Sequence, residues 1–558
     1  MKRYLGQILL IACIQFFLST GIASTTDHEI VEIIRSKTEQ LITTGSLKIE
    51  GAQIASVKVL PELYEINEFQ PLWTNPKNVE DLFNAVNTID EDGLHPDDYH
   101  FTQIKILRSR LESSTSSDPA ILVDFDILLT DSLIRLGYHL VFGKVDPEDH
   151  HPHWNLAVEI DDDAPVIFIR KMLAEGNLAR RIEGLRPQNI IYSKFKAALK
   201  KYRDIKAGGG WESVPAGPTL KKGMQEDRVL LLRKRLQITG DLQVESTDSD
   251  FFDEQLEQGV MHFQRRHYLS VDGVVGKQTL AVLNVPVEDK IDQIRVNLER
   301  LRWVLHAIKG RFVIVDIAGF EIFVYKDSQS LWTSRVQVGK PYRRTPVFKS
   351  EIKYLVLNPT WTVPPGILAK DILPAVKKDA NYLKARNIAV IDSSGKTVKQ
   401  DSIQWSKYSG RNFPYQLRQE PGPNNALGLI KIIFPNEHLV YIHDTPSKSL
   451  FDRTERAFSS GCIRTENPFE LAEILLNDPV KWNQQSFKRV IESKQTQTIM
   501  LPEHVPVLLF YWTVSAARPD GIVRFKRDPY ERDAEILEGL NGDFNFRKQP
   551  VGQKRKTP

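Results

Sequence analysis

Apolar positions change their period twice along this chain. From about Asp27 to Lys222 they recur every three to four residues, as at Leu122, Phe125, Leu129, Leu133 and Leu136, which predicts a helical scaffold. Breakers at Ala207-Gly208-Gly209-Gly210 and Val214-Pro215-Ala216-Gly217-Pro218 mark a linker zone. Between Asp227 and Asn284 a compact unit is predicted. Leu230, Leu231 and Leu236 share one helix, Val260, Phe263 and Gln264 a second, and Leu280 and Leu283 a short third. Gly273 and Gly276 suit a turn that needs positive φ ahead of that third helix. Ile291, Ile294, Leu298 and Leu301 then line one face of a connecting helix.

Beyond Gly310 the period becomes two. Phe312 to Ile317 and Phe320 to Tyr325 flank the Ala318-Gly319 turn as a predicted hairpin, and Trp332 to Val338, Ile352 to Leu357, Leu429 to Phe434 and Leu439 to His443 read as further strands. Between Pro364 and about Pro423 the strand pattern lapses. An insertion this long in a β domain predicts a lid or binding subdomain.

The N-terminus is of a different kind. Met1-Lys2-Arg3 precedes an apolar run from Tyr4 to Leu18, and Gly21-Ile22-Ala23 offers small residues for signal cleavage after Ala23. An uncleaved inner-membrane anchor is the alternative, since the run with its flanks approaches the length of a span. A lipoprotein site at Leu10-Ile11-Ala12-Cys13 is disfavoured, because Ile14 to Leu18 would leave an apolar mature start. The 74 basic and 71 acidic residues leave a net charge of +3, which argues against general nucleic-acid binding. The tail from Arg547 to Pro558 is basic and aperiodic, and is read as a disordered end, with contact to an anionic wall or membrane as the other reading.

Candidate chemistry is concentrated late in the chain. The two cysteines are Cys13, in the apolar run, and Cys462, in Ser459-Ser460-Gly461-Cys462-Ile463-Arg464. In an exported mature chain Cys462 has no disulfide partner, and its setting reads as a nucleophile. A thiol needs a base near neutral pH, and His443, at the end of a predicted strand, can take its proton and return it. The N–H groups of Gly461 and Cys462 are candidate oxyanion donors. Asn467-Pro468-Phe469-Glu470 predicts a capped helix start. His150, His151 and His153 beside Asp146, Glu148 and Asp149 invite a metal. Pro147 and Pro152 predict a loop there, however, and no spaced second ligand pair follows, so neither metal nor cofactor is expected.

Two resemblances follow from these residues. Phe263-Gln264, the turn Asp272-Gly273-x-x-Gly276-x-x-Thr279 and Leu283-Asn284 resemble the three-helix peptidoglycan-binding module of wall enzymes; a spacer that binds nothing is the alternative. His443, fifteen intervening residues, then Ser459-x-Gly461-Cys462 with Arg464 resemble the L,D-transpeptidase family with its YkuD-type catalytic domain, as do Gly339 and Thr345-Pro346. That family usually has Ser-His-Gly-Cys, where this chain has Ser460. His443 to Pro446 and Ser459 to Arg464 are similar to the large YcbB-like Gram-negative branch.

The resemblance implies a multidomain α+β chain. It divides into a signal peptide or anchor (1–23), a helical scaffold (27–222), a peptidoglycan-binding module (223–286), a connecting helix (287–309), a catalytic domain with a capping insertion at about 366–422 (310–540), and a tail (541–558). It implies a periplasmic enzyme of wall biogenesis and cell shape. Donor tetrapeptide stems and an acceptor amine would be the partners, and nucleic acid would not. Cys462 would be the nucleophile and His443 the acid/base. Asp444 would orient the imidazole, and Tyr441 would either line the site or simply pack within the sheet. Arg464 would brace the turn of Ser459, Ser460 and Gly461 through hydrogen bonds, with contact to substrate as the alternative. Trp405 and Tyr408 would either cover the donor stem or pack within the insertion. Carbapenems would acylate Cys462. The competing expectations are a stem-trimming carboxypeptidase and a non-catalytic wall-binding scaffold.

Overall fold

The structure is a computed structural model that describes residues 23–544 apart from 114–117, 157–163, 175, 244–248, 307–309, 328, 517–519 and 521. The apolar N-terminal run and the basic tail of the sequence reading lie outside the described residues. Among the described residues, no helix is long and apolar enough to cross a membrane.

The N-terminal part is helical, from α1 (Ala23–Thr44) through α2 (Pro119–Phe142) to α3 (Ile190–Ala207). α2 is buried on nearly all sides and carries its own polar groups into the core. Asp126 accepts the Tyr64 hydroxyl at 2.6 Å and the backbone N–H groups of Leu72 and Trp73 at 3.1 and 3.0 Å. Asp131 takes the Ser56 N–H at 2.9 Å, the His100 ring at 2.7 Å and Arg135 Nε at 2.7 Å. Buried carboxylates are tolerated here because each satisfies donors that the loops would otherwise leave unpaired.

The three-helix unit consists of α4 (Asp227–Thr239), α5 (Glu254–Arg266) and α6 (Lys277–Leu283). Its separate core contains Val229, Leu232, Leu236, Leu256, Val260, Phe263 and Leu283. Leu230, Leu231 and Leu236 share α4 as expected, and its inward face is Val229, Leu232 and Leu236 with Leu231 packed at the edge. Gln264 explains the turn motif. Its amide nitrogen donates to Asp272 Oδ1 (2.7 Å) and the Val274 carbonyl (2.9 Å), and its oxygen accepts the N–H groups of Asp272 and Gly273. Gly273 has φ +72°. The motif residues build this turn.

Helix α7 (Val287–Leu305) buries Ile291, Ile294, Leu298 and Leu301 as expected, but its polar side is buried too. Arg300 pairs with Asp533 at 2.6 Å, Asn297 bonds Thr513, and Arg302 donates to the Asp92 carbonyl at 2.8 Å. The connecting helix is thus an internal strut, tied by hydrogen bonds to the scaffold and by hydrogen bonds and an ion pair to the C-terminal segment.

The β-rich part comprises β1 (Arg311–Asp316), β2 (Glu321–Lys326), β3 (Gln329–Gly339), β4 (Phe348–Leu357), β5 (Ile430–Ile433), β6 (Ile442–His443), β7 (Ala457–Ser459), β8 (Ile463–Thr465) and β9 (Gln497–Phe510). Their order is β7-β3-β8-β6-β5-β4-β9-β1-β2, and β3 also pairs with β2. β3 follows β2 as far as Arg335, then passes to β8 at Val336 and Gln337, turning the sheet back on itself.

Three expectations change. The predicted strand from Leu439 shortens to Ile442–His443, because Leu439 has φ +55° and the Asn436 side chain accepts the N–H groups of His438 and Val440. The insertion does not lack strands. Trp361–Thr362, Gln416–Gln419, Ile388–Ile391 and Thr397–Val398 form a small sheet over Leu373, Val376, Leu383 and Leu417. β9, with fourteen residues, was not anticipated. Pro502 and Pro506 interrupt its pattern, and its ladder with β4 shifts register between Met500 and Val505.

Several imidazoles are buried in the neutral form. Burial pushes His139 and His267 well down, and His151 to about 2. Below the ordinary histidine value near 6.5 the unfolded chain binds protons that the folded chain refuses, so stability is lost as pH falls. Each such histidine should cost about 2 kcal/mol at pH 5 relative to pH 7. Calorimetric midpoints should therefore drop between pH 7 and 5; unchanged midpoints would contradict this burial.

Candidate active site

Alternation along β5, β6 and β8 sorts the site. Ile430, Ile432, Ile442 and Ile463 are fully buried on the core face. The intervening residues share the other face. Lys431 stands opposite His443, His443 opposite Arg464 and Arg464 opposite Gln337, one row across four strands. Cys462 immediately precedes β8, and the Ile463 N–H donates to the Tyr441 carbonyl at 3.0 Å. In this parallel register Tyr441 faces Cys462, and His443 lies one diagonal step further along.

The Cys462 thiol is half-buried and points to the Leu439 carbonyl at 3.8 Å. Burial pushes the thiol up. Hydrogen bonds from Tyr441 and the cations of Lys431 and Arg464 act against that shift, each favouring thiolate. His443 Nδ1 donates to the Asp444 carbonyl at 2.5 Å. The Asp444 carboxylate is engaged elsewhere, with Lys448 Nζ at 2.6 Å and the Leu429 N–H at 2.9 Å. Burial, then the Arg464 charge, pushes His443 down to about 3, so its ring is neutral. Among the described residues no hydrogen bond joins the imidazole to the thiol. Tyr441 stacks obliquely on His443, with ring centroids 5.5 Å apart, and the Lys431 ammonium lies 3.9 Å from the Tyr441 ring centroid.

The turn bearing the thiol is clamped. Ser459 Oγ donates to the Cys462 carbonyl (2.6 Å) and accepts the Gly461 N–H (3.0 Å). That N–H is therefore taken, which removes one of the two oxyanion donors expected from the sequence. Gly461 has φ +121°, a conformation that side chains resist. Thr345 Oγ1 donates to the Gly461 carbonyl at 2.9 Å and accepts the Gly339 N–H at 2.9 Å. A Cβ on Gly339 would fall 2.1 Å from the Arg343 carbonyl, so only glycine fits. Ser460 is exposed, and its Oγ accepts Arg343 Nη1 at 2.9 Å; the same guanidinium grips Asp371 of the insertion at 2.5 and 2.9 Å.

Other expectations are corrected. Arg464 does not brace the turn. It reaches Gln337 Oε1 at 3.3 Å, its Nε is buried without a hydrogen-bond partner among the described residues, and its charge acts on the sulfur. Asn467 makes no side-chain cap, although Pro468 opens helix α8 (Pro468–Leu476); Glu470 instead accepts Trp332 Nε1 at 2.8 Å. Trp405 and Tyr408 pack on Phe413 within the insertion. Lys431, Arg343 and Leu439 were not singled out from the sequence. A lone lysine in Leu429-Ile430-Lys431-Ile432-Ile433 was a visible signal, but its position opposite His443 depends on register.

A thiol on a clamped glycine turn, with a neutral imidazole and two cations on one sheet face, defines a candidate acyl-transfer site. Comparison with known proteins agrees. Residues 310–481 match the YkuD family, the L,D-transpeptidase catalytic domain; residues 225–283 match a peptidoglycan binding domain, and 58–199 a scaffold domain. The chain carries a YkuD-family L,D-transpeptidase catalytic domain behind a peptidoglycan-binding domain. A Haemophilus influenzae protein provisionally named an L,D-transpeptidase is 36% identical over 259 residues, 46% of this chain and 52% of that one, so the match spans about half of the relative. Crystal structures of L,D-transpeptidases from Xylanimonas cellulosilytica (15% identical, 53% of this chain, 99% of that one, TM-score 0.16) and Stackebrandtia nassauensis (14%, 53%, 96%, TM-score 0.21) are also similar, at scores too low to add to the argument.

Proposed function

We propose that this chain is a peptidoglycan L,D-transpeptidase that cross-links stem peptides through a thioester on Cys462, acting on the outer side of the cytoplasmic membrane. The observation that supports this best is the shared face of Cys462, Tyr441, His443, Lys431 and Arg464 inside the matched catalytic domain. The donor would be a tetrapeptide stem. Its third residue, a diaminopimelate, offers the carbonyl carbon that the sulfur attacks. His443 takes the thiol proton and passes it to the amine of the terminal D-alanine as the carbon–nitrogen bond breaks. The side-chain amine of a second stem then attacks the thioester, its surplus proton passing to the now neutral His443 as the carbon–sulfur bond breaks and the thiolate leaves, to be reprotonated by that imidazole. Lys431 and Arg464 favour the anion at sulfur, and the Cys462 N–H is a donor for the carbonyl oxygen. The neutral state of His443 is the one a base requires.

Mass spectra of digested sacculi test the reading against trimming and against a purely binding role. Dimers joined third residue to third residue, dependent on this chain, are the expected product. Shortened monomers alone would indicate water as acceptor, and no change would indicate no catalysis.

Thioesters hydrolyse, so transfer needs water held off until the amine arrives. Arg343 ties the insertion, through Asp371, to Ser460 beside the nucleophile. Asp371→Asn should raise hydrolysis relative to transfer by about twofold to fivefold, the equivalent of the under ~1 kcal/mol of a partly exposed ion pair. Deleting about Gly366 to Pro421 should raise it further. An unchanged ratio of free to cross-linked product in both variants would refute the lid role.

A further inference from the structure

The histidine-rich loop of the scaffold has a second half elsewhere in the chain. Pro147–His150 forms one helical turn capped by Asp146, and the histidines leave it in different directions. His150 lies 3.4 Å from Glu535, and His151 is buried against Trp154 and Trp303. His153 turns to the catalytic domain and meets Glu437 and His438, in the turn between β5 and β6. Glu437 Oε1 is 3.7 Å from His153 Nδ1 and 3.7 Å from His438 Nε2, and one donor atom from each residue lies within 4.8 Å of the others. The two imidazole centroids are 4.0 Å apart.

These groups converge without bonding one another. Separations of 3.7 Å exceed hydrogen-bond range. They nearly match the roughly 3.3–3.5 Å between donors that tetrahedral zinc imposes with bonds of about 2.0–2.2 Å. Both sides are also held in place. Asn155 accepts the Lys349 N–H at 2.8 Å and donates to its carbonyl at 2.7 Å, fastening the His153 loop to β4. Asn436 accepts the N–H groups of His438 and Val440 and donates to the carbonyls of Phe434 and Val440. The His438 ring packs edge-on against Phe348, with centroids 5.0 Å apart. Backbone already in place on both sides lowers part of the ordering cost of binding, and the exposed Glu437 side chain would be ordered by the cation.

We propose that His153, Glu437 and His438 bind one zinc-type divalent cation that clips the scaffold loop to the turn leading into the active site. Two imidazoles and a carboxylate suit zinc better than magnesium or calcium, and water would complete the coordination. Leu439, the next residue, presents its carbonyl to the Cys462 thiol, so the cation would stiffen one wall of the site. The proposal does not rest on the reaction assigned to Cys462.

Zinc binding is measured by calorimetry on the whole chain carrying Cys462→Ala, which removes a competing thiol, in slightly alkaline buffer. Absorption of the cobalt form reports coordination. One equivalent should bind and raise the thermal midpoint. His153→Ala, His438→Ala and the fold-neutral Glu437→Gln, added singly, should each weaken binding at least roughly 100-fold. His150→Ala and His504→Ala should not change it. Absence of saturable uptake, uptake surviving His153→Ala and Glu437→Gln, or equal loss in His504→Ala would overturn the proposal.

Discussion

Cys462→Ala should abolish acyl-adduct formation and cross-linking, a loss of at least about 10⁴-fold, while the fold is retained. The thiol meets only the Leu439 carbonyl and hydrogen bonds from Tyr441 among the described residues, and the turn is held by Ser459, Thr345 and the backbone rather than by the sulfur. Its removal therefore costs chemistry and little stability. Carbapenem labelling should vanish with it. Retained cross-linking in a folded Cys462→Ala protein would remove the basis of the proposed function.

The second large effect is expected at His443. His443→Gln should slow acylation by about 10²- to 10⁴-fold at neutral pH, the range of a positioned base. The deficit should also narrow as pH rises. Burial holds the thiol above its ordinary value, so in the proposed mechanism the wild-type protein would depend on the imidazole, whereas in the variant alkali would increasingly supply thiolate. On the acid side, the imidazole stays neutral down to about 3. Losses of wild-type activity between pH 7 and 5 should then follow unfolding, not titration of the base. A deficit that is constant with pH, or none, would assign His443 a structural role.

Much of this was readable before the fold. The scaffold periodicity, the Gln264–Asp272–Gly273 turn and the first hairpin are local signals, and local signals survive in sequence. What was not readable depends on partners far away. Pro502 and Pro506 hid β9, whose strand character comes from β4 and β1 on either side. Lys431 joins the site because antiparallel register sets it against His443. Arg464 looked like a brace and instead acts as a charge on the sulfur, because β8 places it on the same sheet face as Cys462. The Gly461 N–H looked free, but the Ser459 hydroxyl reaches it. His153 appeared to lack further ligands until the scaffold loop met Glu437 and His438.

The most direct test is the mass of the intact protein after brief incubation with a tetrapeptide stem. The account predicts an adduct equal to the stem less its terminal D-alanine, mapped to Cys462 and lost on adding an acceptor amine. An adduct on another residue, or cross-linked product formed with none on Cys462, would contradict it.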